Sequence, residues 1–128
     1  MSDYTALIID DNDQNIEVLQ NLLIAEGVAT TTINDPRLAE VIAAQMGHLD
    51  VIFCDLEMPN LDGFTLLRRL RARVRPETKI IAYTVHVSEM DVARQSGFDG
   101  FLGKPLDGER FGEQLRRILN GQPVWERP

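Results

Sequence analysis

A doubly wound α/β domain, with five parallel strands alternating with five helices, is the fold class this sequence predicts. Three observations predict it. Short apolar runs alternate with amphipathic stretches along the chain, as a parallel sheet with crossover helices requires. The runs are mostly continuous rather than alternating in polarity, the pattern of strands buried on both faces. The stretches between them are short and carry helix start and stop residues.

The first strand is "YTALIID". Asp13 is placed to cap the helix "QNIEVLQNLLIAEG", where Ile16, Leu19, Leu22 and Leu23 recur at helical spacing and Gly27 ends the last turn. "VATTTI" is the second strand, and its polarity suits a sheet edge. Asp35 and Pro36 open the helix in "NDPRLAEVIAAQMG", which Gly47 closes. "DVIFCD" is the third strand. The helix "DGFTLLRRLRARVRP" carries Leu67, Leu70 and Val74 on one side and stops before Pro76. After the fourth strand, "TKIIAYT", Ser88 and Asp91 form a capping box for a helix ending at Gly97. "GFLG" is the fifth strand, and the last helix runs from Asp107 to Gly121. Residues 1–121 therefore form one domain and 122–128 a short C-terminal tail. Tails are ordinarily poorly ordered. This one holds the only tryptophan, Trp125, and its Val124-Trp125 pair has the apolar surface to pack on the body or on a partner.

With 128 residues the chain can bury a core without covalent staples. A single cysteine, Cys54, excludes an internal disulfide framework and fits a reducing compartment. It reads as a small buried hydrophobe. The N-terminus lacks a basic, signal-like region, and no apolar window is long enough for a membrane span. A cytoplasmic location is expected. The net charge of -7 argues against general affinity for nucleic acid or anionic membranes. Arg68, Arg69, Arg71, Arg73 and Arg75 form a basic run, but toward a helix C-terminus, where the dipole favours cations, and without interleaved aromatics. No direct nucleic-acid or membrane contact is expected. His48 and His86 are too far apart in sequence to suggest a metal pair.

In doubly wound sheets, ligands bind beyond the carboxyl ends of the strands. Asp10 and Asp11 end the first strand, Asp55 the third and Thr84 the fourth, while Lys104 follows the fifth. Three neighbouring carboxylates cannot all stay ionised uncompensated; either a pKa rises or a cation enters. Hard oxygens facing a lysine suit Mg²⁺, or Mn²⁺ in its place. Asp55 can then act as a nucleophile toward phosphorus, with Lys104 neutralising phosphoryl charge and the Thr84 hydroxyl bonding a phosphoryl oxygen.

The motifs "IIDDN", "CDLEMPNLDGFTLL", "IAYT" and "GFLGKP", in this order, resemble the receiver domain of two-component response regulators over residues 4–120. The resemblance implies a flavodoxin-like fold and a phosphoacceptor role for Asp55, supplied by a sensor histidine kinase or a histidine phosphotransfer protein. It implies that Asp11, Asp55 and the Glu57 backbone carbonyl bind the metal directly, and that Asp10 acts more through water. Lys104 would pair with the phosphoryl group, ahead of a cis bond to Pro105. Thr84 and Phe101 would be the switch pair, remodelling the face of the fourth helix, fifth strand and fifth helix toward a downstream protein. Glu57, Val85 and His86 would border the path of hydrolytic water. Val85 stands where the family commonly has alanine or glycine, which predicts a long-lived phosphoryl group. A phosphorylation-dependent homodimer is compatible with this reading. The expectation is a stand-alone receiver domain that ends about where the fold ends, a phosphoacceptor rather than a turnover enzyme, with at most slow self-phosphorylating and self-dephosphorylating activity. Two other readings stay open: an adaptor that keeps the fold without the chemistry, and a small magnesium-dependent aspartyl phosphatase.

Overall fold

The computed structural model of the chain describes residues 3–59 and 61–128. Its elements run β1 (Thr5–Ile9), α1 (Asp13–Ala25), β2 (Ala29–Ile33), α2 (Ala39–Gln45), β3 (Val51–Cys54), β4 (Glu57–Met58), β5 (Leu61–Asp62), α3 (Gly63–Arg71), β6 (Lys79–Thr84), α4 (Met90–Ser96), β7 (Gly100–Gly103), α5 (Phe111–Leu119) and β8 (Trp125–Glu126). Short 3₁₀ turns precede α2 and α4. The main sheet is parallel throughout, in the order β2-β1-β3-β6-β7-β8. The polar strand β2 lies at one edge, as its composition predicts.

The five expected strands are present, but the sheet has six. Trp125 and Glu126 pair with Phe101 and Leu102, so the expected tail supplies an edge strand. Val124 is fully buried there, a two-residue strand that periodicity cannot register. A separate antiparallel hairpin, β4 with β5, follows β3.

Strand residues alternate between two cores. Leu7, Ile9, Ile52, Cys54, Ile80 and Ala82 join α2, α3 and α4 on one face. Ala6, Ile8, Val51, Phe53, Ile81 and Tyr83 join α1 and α5 on the other. Continuous apolar runs are thus needed because both faces of each central strand are covered.

Several helix ends differ from expectation. Asn12, not Asp13, caps α1: its side chain accepts from the Asn15 amide, while Asp13 falls within the first turn. The Ser88–Asp91 capping box does not form, because Val87–Glu89 makes a 3₁₀ turn and α4 starts only at Met90. The last helix begins at Phe111, since Asp107 accepts from the Glu109 amide and makes its own turn. Gly27, Gly97 and Gly121 do stop their helices, each at positive φ. Two arginines of the run tie elements together. Arg71 donates to the Thr78 and Gly97 carbonyls and pairs with Asp99, and Arg73 pairs with Glu40.

Gly63 positions the strand end that matters most. A Cβ there would lie 2.7 Å from Leu56 Cα and 2.8 Å from the Asp55 carbonyl oxygen. Only a glycine lets α3 start this close to the segment after β3. Gly63→Ala should therefore displace that backbone and destabilise the protein by about 2 kcal/mol, measured by urea denaturation.

Candidate phosphoryl and metal site

The carboxyl ends of β1, β3, β6 and β7 meet at one edge of the sheet, and the register explains why. Ile9 pairs with Cys54, Cys54 with Ala82 and Thr84 with Gly103, so the residues that follow emerge side by side. Asp10, Asp11 and Asp55 each offer a carboxylate oxygen within 4.8 Å of the others. Lys104 Nζ lies 2.8 Å from Asp10 and 3.5 Å from Asp55. The four residues drawn from separate stretches of sequence are one cluster.

The three carboxylates have different surroundings. Asp10 has no exposed surface. One of its oxygens accepts from the Asn12 amide at 2.9 Å; the other accepts from Lys104 and from the Tyr83 hydroxyl, both at 2.8 Å. Burial opposes its charge, but the hydrogen bonds from Lys104, Asn12 and Tyr83 and the lysine charge prevail, holding its pKa below the usual value. Asp55 is nearly as buried and less well supplied. Its one backbone donor among the described residues is the Glu57 amide at 3.3 Å. Burial pushes its pKa up to about 6; Lys104 pulls the other way, and the charge of Asp10 adds to the rise. Asp11 is exposed.

Lys104 rests over the Tyr83 ring, 4.3 Å from its centroid, and is itself largely buried. Lys104 is joined to Pro105 by a cis peptide bond, as expected. Thr84 is buried, and its hydroxyl accepts from the His86 amide at 3.2 Å. Glu57 projects from the hairpin and pairs with His86 at 2.9 Å, both side chains about half exposed. Val85 is 62 % exposed. Phe101 lies one strand away, fully buried, with Ala82 and Trp125 as its register partners. Cys54 is fully buried and its thiol pKa is pushed up by burial, so it stays a packed thiol.

Sequence reasoning missed Tyr83, Asn12 and the Glu57–His86 pair. Tyr83 carried a usable signal: a phenol in a strand buried on both faces needs an acceptor, and the buried acid pair is the obvious one. A divalent cation fits this donor set. Three carboxylates face a single lysine; two are buried, and one of those, Asp55, has only a long amide contact and the lysine at 3.5 Å.

Comparison with known proteins agrees with the geometry. A family model described as "response regulator receiver domain" matches residues 6–116. Hybrid signal transduction histidine kinase L of Dictyostelium discoideum is 30 % identical over 119 residues, covering 87 % of this chain and 7 % of the kinase. The chain spans about half the length or less of such relatives, 48 % in a transcriptional regulatory protein of Pseudomonas aeruginosa that is 31 % identical over 119 residues. Chemotaxis protein CheY4 of Vibrio cholerae superposes with TM-score 0.80 at 25 % identity, over 90 % of this chain and 98 % of that one. The receiver domain of sensor histidine kinase PA1611 of Pseudomonas aeruginosa, solved with magnesium coordinated in its active-site cleft, gives TM-score 0.80 at 27 % identity, over 91 % and 98 %.

The charge balance yields a pH prediction. A folded-state pKa raised to about 6 from 3.8 means that Asp55 favours the folded protein most when protonated. That contribution is complete below pH 3.8 and is lost as pH rises through 6. In metal-free buffer at pH 7, Asp55→Asn should therefore be more stable than wild type by about 1–2 kcal/mol. The gap should narrow as pH falls from 7 to 5, followed by thermal melts of both proteins.

Proposed function

This chain belongs to the response regulator receiver family, and from that membership we propose that it is a phosphoacceptor whose nucleophile is Asp55. The observation that carries this reading is the convergence of Asp10, Asp11 and Asp55 with Lys104 at the end of β7. The donor would be a phosphohistidine on a sensor histidine kinase or a phosphotransfer protein. An Asp55 carboxylate oxygen attacks phosphorus in line; the O–P bond forms as the N–P bond of phosphohistidine breaks, and the imidazole leaves.

Mg²⁺ or Mn²⁺ would be held by Asp11, Asp55 and the Glu57 carbonyl, with Asp10 acting through water. Bound there, the cation offsets carboxylate charge so that a phosphoryl dianion is tolerated. The chain's own residues do the rest. Asp10 keeps Lys104 at the site without spending the lysine's remaining donors, since an ammonium has three. Lys104 can then follow the phosphoryl oxygens, and the Thr84 hydroxyl can donate to one of them. Phe101, on the strand that ends in the Lys104 loop, would carry the change to the face formed by α4, β7 and α5 and so to a downstream protein. Turnover is not the role of such a site; it holds a mark.

How long the mark lasts depends on water access. Glu57 and His86 engage each other, which leaves that carboxylate less free to orient a water. Val85 is β-branched and stiff, and it lies between Thr84 and His86 in the chain. The phosphoryl group should therefore hydrolyse slowly for a receiver.

With acetyl phosphate and Mg²⁺, intact mass should show one added phosphoryl group, and Asp55→Asn should show none. Labelling of Asp55→Asn at the wild-type rate would refute the assignment. After removal of acetyl phosphate, Val85→Ala should lose its phosphoryl group several-fold faster than wild type, on the view that a smaller side chain frees the in-line approach. Equal decay would mean that Val85 does not limit water.

A further inference from the structure

The edge of β7 is shaped around residues 124–126. The Phe101 amide donates to the Val124 carbonyl at 2.8 Å, and Trp125 and Glu126 continue the pairing. Each side chain has its own seat. Val124 is buried in the core shared by α1 and α5. Trp125 leans on the opposite core, with the Arg94 guanidinium of α4 over its ring at 4.5 Å. Glu126 accepts from Gln114 at 2.9 Å and Arg117 at 2.7 Å and also pairs with Arg110. The strand beneath is cut to fit: a Cβ on Gly100 would come 2.8 Å from the Val124 carbonyl oxygen, and one on Gly103 would run into Pro128.

This edge is wired to the site. Gly103 precedes Lys104, and Val87, from the turn after Thr84, lies 2.9 Å from the same Cβ position on Gly103. Phe101 pairs with Ala82 on one side and Trp125 on the other. A lysine that turns its remaining donors to a phosphoryl group on Asp55 would shift the strand end against which the tail rests.

We propose that the β7 edge between α4 and α5 is a strand-accepting groove, held by residues 124–126 until phosphorylation of Asp55 loosens them and opens it to an extended partner segment of the same apolar–aromatic–acidic chemistry. This rests on the phosphoacceptor reading above. Main-chain pairing supplies affinity in such a groove, and the three seats supply selectivity. The tethered tail keeps a high effective concentration, so a partner enters only once the tail lets go. Release of so short an edge strand, with Val124 leaving the core, is a local opening rather than a global unfolding.

The test uses the full chain. Trp125 is the only tryptophan, so its quenching by acrylamide reports the tail alone. The protein is phosphorylated with acetyl phosphate and Mg²⁺, the extent is read by intact mass, and a labelled peptide copying residues 122–128 is the probe. On phosphorylation, Trp125 quenching should rise about threefold, exchange of the Phe101 amide should quicken about tenfold, and peptide binding should appear. Glu126→Arg, which sets a third cation against Arg110 and Arg117, should bind the peptide without phosphate. Complete phosphorylation with unchanged quenching and exchange overturns the gate while leaving the phosphoacceptor reading intact. No mass gain overturns that reading and the gate with it, and Glu126→Arg then decides the groove: peptide binding supports it, and none overturns it. If the phosphorylated protein instead forms dimers by light scattering and excludes the peptide, the occupant is a second copy, and the partner assignment falls.

Discussion

Asp10 is a carboxylate without exposure that stays charged because donors from three separate elements close on it. Lys104 arrives from the end of β7, the Tyr83 hydroxyl from β6, and the Asn12 amide from the start of α1. A buried ion is tolerable only when its lone pairs are met. Those elements are therefore held in one relative position, and the strand ends cannot drift apart. Because Asp10 takes the best donors, Asp55 is left with burial, a long amide contact and a lysine at 3.5 Å. The two carboxylates are thus unequal: one is fully met by donors and charged, and the other is poorly compensated.

The backbone serves the same end. Gly63 brings α3 against the Asp55–Leu56 segment, and the β4–β5 hairpin places the Glu57 amide on Asp55. Away from the site, Arg71 fastens α3 to the Thr78 and Gly97 carbonyls and to Asp99, which itself accepts from the Ile80 amide. The last arginine of α3 thus holds the start of β6 and the segment before β7 in place.

Much of this was legible in the sequence, because the signals were local or repeated. Continuous apolar runs reported two-faced burial, and the glycines at helix ends reported their stops. The strand-end residues Asp10, Asp11, Asp55 and Lys104 were found because a parallel sheet makes strand ends converge. What escaped depended on tertiary partners. Asn12 and Asp13 are both good caps, and only the geometry of the Asn15 amide separates them. Ser88 fitted a capping pattern that a 3₁₀ turn displaced. Tyr83 looked like strand filler until Asp10 lay 2.8 Å from its hydroxyl. The sixth strand is too short for any period, and its stability comes from Val124 in one core and Trp125 on the other.

The alternation of strand residues between two cores also divides the site's support. Tyr83, which steadies Asp10 and Lys104, belongs to the layer with α1 and α5, while Phe101 belongs to the layer with α2, α3 and α4. Substitutions in separate layers that share no partners combine nearly additively. The layer that steadies the acid–lysine cluster and the layer that faces α4 are therefore free to change at different rates. Packing on the α4 side can therefore drift in sequence while the layer beneath the acid–lysine cluster keeps its residues.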